Sequence, residues 1–229
     1  NAEEGAKARQ AILAALPNTT PRTIPDLVQV LLALEPNAEE GAKARQAILA
    51  ALPKAGPQVV PNLITALSML GSSTEERTEA RQAILAALPN TTPGTIPDLV
   101  HGLSILEPTN EEQSKARQTI LAALPNTTPG TIPDLVHGLS ILEPTNEEQS
   151  KARQTILAAL LKATPEEINR LIRTLSEFQL DDAEWEQARQ TIITALPHAD
   201  SGTLYGLVGL LRLLYPVHDW LAALGIEST

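Results

Sequence analysis

Apolar positions recur along this chain with the period of an α-helix, in two kinds of segment that follow one another. When successive residues are placed about 100° apart, the apolar residues of each segment collect on one side. In the segment NAEEGAKARQAILAAL they are Ala8, Ile12, Ala15 and Leu16. In the segment TPRTIPDLVQVLLAL they are Ile24, Leu27, Val28, Leu31 and Leu34. The pattern predicts two amphipathic helices, called helix A and helix B below.

This pair of segments is repeated with a constant period. The triplet Ala-Arg-Gln recurs every 36 residues, at Ala8, Ala44, Ala80, Ala116, Ala152 and Ala188. It divides the chain into six sequence repeats, 1–36, 37–72, 73–108, 109–144, 145–180 and 181–216, followed by residues 217–229. Neither helix can bury its apolar side within one pair, so neighbouring pairs must stack. The sequence predicts an all-α fold: one domain over 1–229, an α-solenoid of six 36-residue helix-turn-helix repeats with a C-terminal capping helix.

Helix A carries the same start and stop signals in nearly every repeat. Its first residue is a good N-cap, at Asn1, Asn37, Ser73, Thr109, Thr145 and Asp181. A glutamate follows three positions later, at Glu4, Glu40, Glu76, Glu112, Glu148 and Glu184. This is the spacing of a capping box, in which the two residues satisfy each other's free amides. A proline then ends helix A in five repeats, whereas the fifth has Leu161 instead.

Helix B has a less regular beginning. The N-cap candidates are Thr20, Thr92, Thr128, Thr164 and Asp200. A second proline falls one turn later in the first four repeats, at Pro25, Pro61, Pro97 and Pro133. A proline inside a helix lacks an amide donor and clashes with the preceding turn. We therefore expect the first turn of these four helices to be irregular or kinked.

Composition narrows the class of protein. The chain has 229 residues, of which 43% are hydrophobic, 19% charged and 2% aromatic, which is globular composition with an aliphatic core. The absence of cysteine excludes disulfides, cysteine-type zinc sites and thiol catalysis. A formal net charge of −10 disfavours nucleic acid as a partner. The sequence has neither an apolar run of membrane-span length nor a signal-peptide pattern, which predicts no membrane partner and a cytoplasmic protein.

Two helices per repeat and a period of 36 residues resemble tetratricopeptide and HEAT-type arrays. The tetratricopeptide signature of a Trp, a Leu-Gly pair and a Tyr is absent from helix A, which reads ARQAILAAL. The wording ARQAILAALPNTTPGTIPDLV is similar to the near-identical helical repeats of bacterial signalling ATPases of the NACHT/STAND type. This resemblance implies a ligand-sensing or oligomer-gating region that belongs to a larger protein.

The exact copies, among them TTPGTIPDLVHGLSILEP at 91–108 and 127–144, have two explanations. They fit either a recent duplication or an array that was assembled deliberately, and the sequence leaves both open. The first repeat begins directly on Asn1, whereas VHDWLAALGI near the other end is typical of a closing helix. A capping helix at one end of the array and none at the other indicates a piece of a longer protein.

Few residues offer chemistry. The paired glutamates that begin each helix A fit helix capping better than acid–base catalysis, because free amides and the helix dipole favour acids there. His101 and His137 are equivalent residues one repeat apart, and helices packed about 8–10 Å apart would hold them too far from one another to share a metal. We therefore predict no enzyme activity, no metal and no cofactor. Gly102 and Gly138, inside helix B, indicate either close helix packing or an open groove.

Six equivalent arginines fall inside the apolar side of helix A, at Arg9, Arg45, Arg81, Arg117, Arg153 and Arg189. An arginine in that position must lay its stem on the core and bring its guanidinium to a carboxylate or to backbone carbonyls. We predict that these arginines form a structural ladder between repeats; contact with a ligand is the alternative.

The exposed side of helix B is less charged than that of helix A and differs more between repeats. Its candidate ligand-groove residues are Arg22, Gln29, Thr65, Ser68, His101, Ser104, His137, Ser140, Arg173 and Ser176. The sequence predicts a non-enzymatic scaffold with a protein or peptide segment in a concave groove lined by helix B. The alternative is structural self-assembly through the uncapped first repeat, where Ala8 and Ile12 would be exposed.

Overall fold

The computed structural model describes residues 2–178, 180 and 182–214. Within these residues it contains twelve α-helices and no strand. The helix A segments form α1 (Ala2–Ala15), α3 (Ala38–Ala51), α5 (Thr74–Ala87), α7 (Asn110–Ala123), α9 (Asn146–Leu160) and α11 (Asp182–Ala195). The helix B segments form α2 (Ile24–Ala33), α4 (Val60–Met69), α6 (Ile96–Ile105), α8 (Ile132–Ile141), α10 (Pro165–Leu175) and α12 (Ser201–Leu214). The fold is all-α, and the capping helix expected over 217–229 lies outside the described residues.

The capping boxes predicted for helix A are present at α3, α5, α7 and α9, that of α7 between Thr109 and Glu112. At α3 the Glu40 amide donates to the Asn37 side chain over 2.9 Å, and the Asn37 amide donates to the Glu40 carboxylate over 2.9 Å. Ser73 and Thr145 make the same reciprocal bonds at α5 and α9. The caps predicted at Asn1 and Asp181 lie outside the described residues.

Proline ends helix A through one short turn of 3₁₀ helix. Such turns span Leu16–Asn18, Leu52–Lys54, Leu88–Asn90, Leu124–Asn126 and Leu196–His198. Each places the proline where its missing amide costs no helical hydrogen bond. In the fifth repeat, where Leu161 replaces the proline, α9 continues to Leu160 instead.

The predicted start of helix B at the threonine is wrong in the first, third and fourth repeats, and the second repeat, which has Gly56 at that position, begins its helix in the same way. The α-helix begins four residues later, at Ile24, Val60, Ile96 and Ile132, each directly before a proline. That proline, at Pro25 in the first repeat, could not sit one turn inside a helix without losing a hydrogen bond. Segments such as Pro57–Val59 and Pro93–Thr95 form 3₁₀ turns there, which agrees with the irregular first turn expected. The fifth repeat lacks the second proline, and α10 is capped by Thr164 as predicted.

Three helix B segments end in a residue with left-handed backbone. Glu35, Glu107 and Glu143 have φ of 52°, 53° and 51°, and Gly71 occupies the equivalent position in the second repeat with φ of 70°. A left-handed residue closes the helix, and the proline that follows each glutamate keeps the chain from continuing it. The chain thereby turns from helix B into the next N-cap within a few residues.

The chain divides into two compact units, Asn1–Thr119 and Ile120–Thr229. In the first unit, α4 packs between α2 and α6, and α3 packs between α1 and α5. The core is aliphatic, with Leu31, Leu63, Leu67 and Leu103 all 0% exposed. In the second unit, α10 packs between α8 and α12, and α11 packs on α9. Residues of these faces, such as Leu171 and Leu207, are 0% exposed.

The apolar side predicted for helix A is buried in most repeats but not fully in the first. Ala44, Ile48, Ala80 and Ala152 are each 0% exposed. In the first repeat, Leu16 is buried at 1%, but Ala8 and Ala15 of α1 are exposed and Ile12 is half-buried. The prediction is therefore correct for the positions of Ala8 and Ile12, whose burial in α1 is lower because no described helix covers that side. It is wrong for the position of Ala15, which is buried only at Ala51 among the described repeats.

Candidate binding surfaces

In the first compact unit, helix A arginines reach the first turn of the next helix A. The Arg9 Nε lies 2.9 Å from the Glu40 carboxylate, and the Arg9 Nη1 donates to the Leu34 carbonyl over 3.0 Å. Arg45 repeats this geometry with Glu76 at 2.9 Å and the Leu70 carbonyl at 3.1 Å. One side chain thus holds the end of helix B and the start of the following helix A together.

The glutamates that receive these arginines are the capping-box glutamates. The same Glu40 oxygen, Oε2, accepts from the Asn37 amide and from the Arg9 guanidinium, both at 2.9 Å. Sequence reasoning predicts the capping role of these glutamates but not their second role, which is to pair with the arginine of the preceding repeat. The signal was present, since the arginines from Arg9 to Arg153 all precede the capping glutamate of the next repeat by the same interval. A residue shared between a cap and an inter-repeat ion pair couples the local helix start to packing.

Among these arginine–glutamate contacts, the contact made by Arg81 has the most buried arginine. Its side chain is 9% exposed and its Nε lies 2.8 Å from Glu112. Nε is not aligned for a hydrogen bond, so this contact is an ion pair, whereas Nη1 donates to the Leu106 carbonyl at 3.1 Å. Nη2 donates to the Thr78 hydroxyl at 2.9 Å. Arg117 is likewise buried, at 9%.

The second compact unit keeps the contact once and then replaces it. Arg153 lies 3.2 Å from Glu184, the capping glutamate of the sixth repeat. Counting the same interval onward from Arg189 leads to Trp220, which has no carboxylate. Arg189 pairs instead with Glu186 of its own helix, at 2.7 Å. Arg9, Arg45 and Arg81 therefore contact both carboxylates and carbonyls of the protein, which is the geometry that a structural role requires. Arg153 and Arg189 contact carboxylates.

Besides Glu40, whose pKa is lowered by the Asn37 amide and by Arg9, two further shared glutamates have a lowered pKa. Burial acts to raise the pKa of Glu76, but the Ser73 amide and the Arg45 guanidinium hold that pKa, on balance, below its ordinary value of 4.5. The pKa of Glu112 is lowered in the same way, with burial opposed by the Thr109 amide and by Arg81. Both groups favour the ionised carboxylate in the folded protein.

These shifts predict acid sensitivity. The folded pKa of Glu76 and Glu112 lies below the unfolded value, so their stabilisation is complete above about pH 4.5 and is lost as pH falls through the folded pKa. We expect the free energy of unfolding in urea to fall between about pH 5 and pH 3. Glu76→Gln keeps a capping-box side chain but cannot ionise, and should flatten that slope. If the free energy of unfolding of the Glu76→Gln variant depended on pH as steeply as that of the unchanged protein, the stabilising role assigned to the Glu76 carboxylate would be contradicted.

The helix B candidates are mostly solvent-exposed. Arg22, Gln29, Thr65, His101, His137, Ser140, Arg173 and Ser176 are exposed, whereas Ser68 and Ser104 are half-buried. In the first unit they lie on or just before α2, α4 and α6, which pack side by side. In the second unit they lie on or just after α8 and α10, which also pack together. Each unit thus carries a row of exposed polar side chains on consecutive helix B segments, called the helix B stripe.

Four of the five hydroxyl groups of the stripe, all except that of Ser68, donate to their own helices. Ser104 donates to the His101 carbonyl at 2.8 Å, and Ser140 donates to the His137 carbonyl at 2.7 Å. Thr65 donates to the Pro61 carbonyl at 2.9 Å. These oxygens keep lone pairs and can act as acceptors for a ligand. The side chains with donors for a ligand are therefore the histidines, Arg22, Gln29 and Arg173.

Gly102 marks a close approach of helices. A Cβ built at this position would lie 3.1 Å from the Val60 Cγ1 and 3.7 Å from Ile64 and Ile84. The residue is buried between α6, α4 and α5. Of the two interpretations of this glycine, close packing and an open groove, the geometry at Gly102 agrees with close packing.

Three clefts recur at equivalent sequence positions, which the sequence alone did not indicate. The Val60 cleft of about 500 Å³ lies in the first unit, and the Ile132 cleft of about 540 Å³ and the Ile168 cleft of about 400 Å³ lie in the second. Each lies between the turn that ends one helix A and the following helix A. Their shared positions are Leu52, Val60 and Ala87; Leu124, Ile132 and Ala159; and Leu160, Ile168 and Ala195.

The described part of the chain contains neither a metal-binding cluster nor a membrane-spanning helix. No three His, Asp or Glu side chains come close enough there to hold a metal ion. None of the described helices combines the length and apolarity needed to cross a bilayer. No protein-family model and no curated protein matches this chain.

Proposed function

We propose that this chain is a non-enzymatic scaffold that binds an extended protein or peptide segment. Its architecture in this proposal is an α-solenoid of six helix-turn-helix repeats, stacked through the arginine–glutamate contacts. Two features support the stacking: Arg9, Arg45 and Arg81 each pair with the capping glutamate of the next repeat, and helices of the same kind pack on each other in each unit. Stacked repeats present long surfaces suited to extended ligands.

The helix B stripe is the observation that carries the proposal. Equivalent positions on packed helices hold exposed side chains that differ between repeats, such as Thr65 and His101 in the first unit. A constant core beneath varied exposed positions is how a repeat protein sets specificity without changing its fold. In α3, α5 and α9 the second glutamate of each pair is engaged in a capping box, which supports a structural role for that carboxylate.

The resemblance to the helical repeats of NACHT/STAND-type ATPases supports a role as the sensor or interaction region of a larger cytoplasmic protein. In such a role the scaffold would transmit partner binding to a catalytic region elsewhere. The net charge of −10 supports a protein partner in preference to nucleic acid.

The helix B stripe is tested as the binding surface with a peptide selected from a random 12-residue library. Thr65→Ala and His101→Ala, on the packed helices α4 and α6 of the first unit, should each weaken that peptide roughly two- to tenfold, the range for one lost hydrogen bond. Gln46→Ala, on the exposed side of α3, is the matched control and should leave the Kd unchanged. Equal affinity of all three variants, measured by fluorescence anisotropy, would exclude the helix B stripe as the binding face.

Self-assembly is the second candidate, favoured by exposed apolar residues of the first repeat. Val30 is 52% exposed, whereas its equivalent Ala66 is 4% exposed. Ala8 is exposed, whereas Ala44 is 0% exposed. A second copy could cover these positions as the preceding repeat covers them elsewhere in the first unit. Light scattering across a wide concentration range separates the candidates: a constant monomer mass supports the scaffold, and a dimer that dissociates on dilution supports self-assembly.

A further inference from the structure

The clefts of the second compact unit share a composition as well as a position. The floor of the Ile132 cleft includes the buried Leu124 and Ile132, and that of the Ile168 cleft includes the buried Leu160 and Ile168. Small residues of the next helix A, such as Ala159, leave the space open. Volumes of about 540 and 400 Å³ fall in the range of roughly 300–1,000 Å³ that ligand pockets occupy. Each cleft can take an aliphatic side chain.

The rims of these two clefts carry basic side chains. Lys151 and Lys162 line the Ile132 cleft, and His198 lines the Ile168 cleft at the position equivalent to Lys162. Among the described residues that line them there is no carboxylate, although the whole chain has 27 acidic residues. Lys151 pairs with Glu147 at 2.8 Å, but no described carboxylate pairs with the exposed Lys162. A ligand with acidic groups therefore meets local attraction on an otherwise acidic protein.

The spacing expected of clefts on neighbouring packed helices matches the advance of a polyproline II backbone. Helix α9 contributes Gln154 and Ala158 to the Ile132 cleft and Leu160 to the Ile168 cleft, and α11, which packs on α9, forms the far wall of the second. Packed helices lie about 8–10 Å apart. A polyproline II segment advances about 9 Å in three residues, so every third side chain points the same way.

We infer that these two clefts together bind an acidic segment in polyproline II conformation, with aliphatic side chains at every third residue in the clefts and carboxylates near Lys162 and His198. This inference rests on the proposed scaffold function and names the chemistry of the partner. It places that partner on the side formed by helix A and the A–B turn, and so adds a surface to the helix B stripe.

The test uses a fluorescein-labelled synthetic peptide, LEPLEPLEP, with LKPLKPLKP and SEPSEPSEP as matched controls. We expect saturable binding of the first peptide only. Lys162→Glu should weaken it about fivefold and Lys162→Glu/His198→Glu more than tenfold, since both residues are exposed and their replacement leaves the core intact. Lys54→Glu, the equivalent exposed position in the second repeat, lines none of the three clefts and should change nothing.

The outcomes separate this inference from the function on which it rests. Binding of LEPLEPLEP that is equally strong in the double variant and in Lys54→Glu overturns the inference. Absence of binding to LEPLEPLEP overturns it as well, and the scaffold function then stands if peptides from the random library still bind. If neither the synthetic peptide nor any library peptide binds, both proposals fail.

Discussion

Replacing Leu103 with alanine is expected to lower the free energy of unfolding by about 3 kcal/mol. Leu103 lies in α6 and is 0% exposed, in the layer where α6 packs on α4. The substitution removes apolar surface from the core and leaves a cavity that the neighbouring helices fill only in part. Core substitutions of this kind cost roughly 2–5 kcal/mol, because the lost transfer free energy and the cavity add.

Urea unfolding followed by circular dichroism measures this effect. Met69→Ala is the matched control, because Met69 ends α4 in the same layer but is 57% exposed. We expect the control to change the free energy of unfolding by less than about 0.5 kcal/mol. A cost at Leu103 no larger than that at Met69 would contradict the packing of α6 on α4.

Arg81→Ala is expected to cost about 2–3 kcal/mol of unfolding free energy. The substitution leaves the Glu112 carboxylate, 17% exposed, without its cation and the Leu106 carbonyl without its donor. Breaking a fully buried pair costs about 3–5 kcal/mol, and partial solvent access here reduces that figure. The lost guanidinium also uncovers apolar surface along the arginine stem.

The same unfolding measurement on Lys7→Ala provides the control. Lys7 pairs with Glu3 at 2.7 Å, but the two side chains are 71% and 75% exposed. Exposed pairs of this spacing contribute at most about 0.5 kcal/mol. Arg81→Ala therefore should cost several times more than Lys7→Ala, and similar costs would mean that Arg81 does not bridge the repeats.

Local signals in the sequence were sufficient for much of the fold. Asn37 with Glu40, and Ser73 with Glu76, carry the capping box within four consecutive residues, so the start of helix A can be recognised without knowledge of the rest. The apolar period places Leu31 and Leu103 on buried faces for the same reason. The start of helix B was predicted wrongly because two sequence signals conflict. Thr20 is a good N-cap residue, but Pro25 excludes the helix that Thr20 would have capped.

Contacts between repeats were harder to predict. The arginines on the apolar side of helix A required a partner, but its identity depends on which residues two neighbouring helices bring together, as with Arg45 and Glu76 of consecutive repeats. The clefts have no local signal, because their walls combine residues as distant as Leu160 and His198. The sequence does show that Lys162 and His198 replace the asparagine that ends the equivalent turn in three other repeats, but it does not show that either residue lines a cleft.

Equivalent contacts joining consecutive repeats are the central claim, and a pair of double-mutant cycles tests it most directly. One cycle combines Arg45→Ala with Glu76→Gln, and the other combines Arg81→Ala with Glu112→Gln. We predict coupling energies of about 1–2 kcal/mol in both, with no coupling in the mismatched pair Arg45→Ala with Glu112→Gln. Coupling near zero in the matched pairs would contradict the claim that these contacts hold the repeats together.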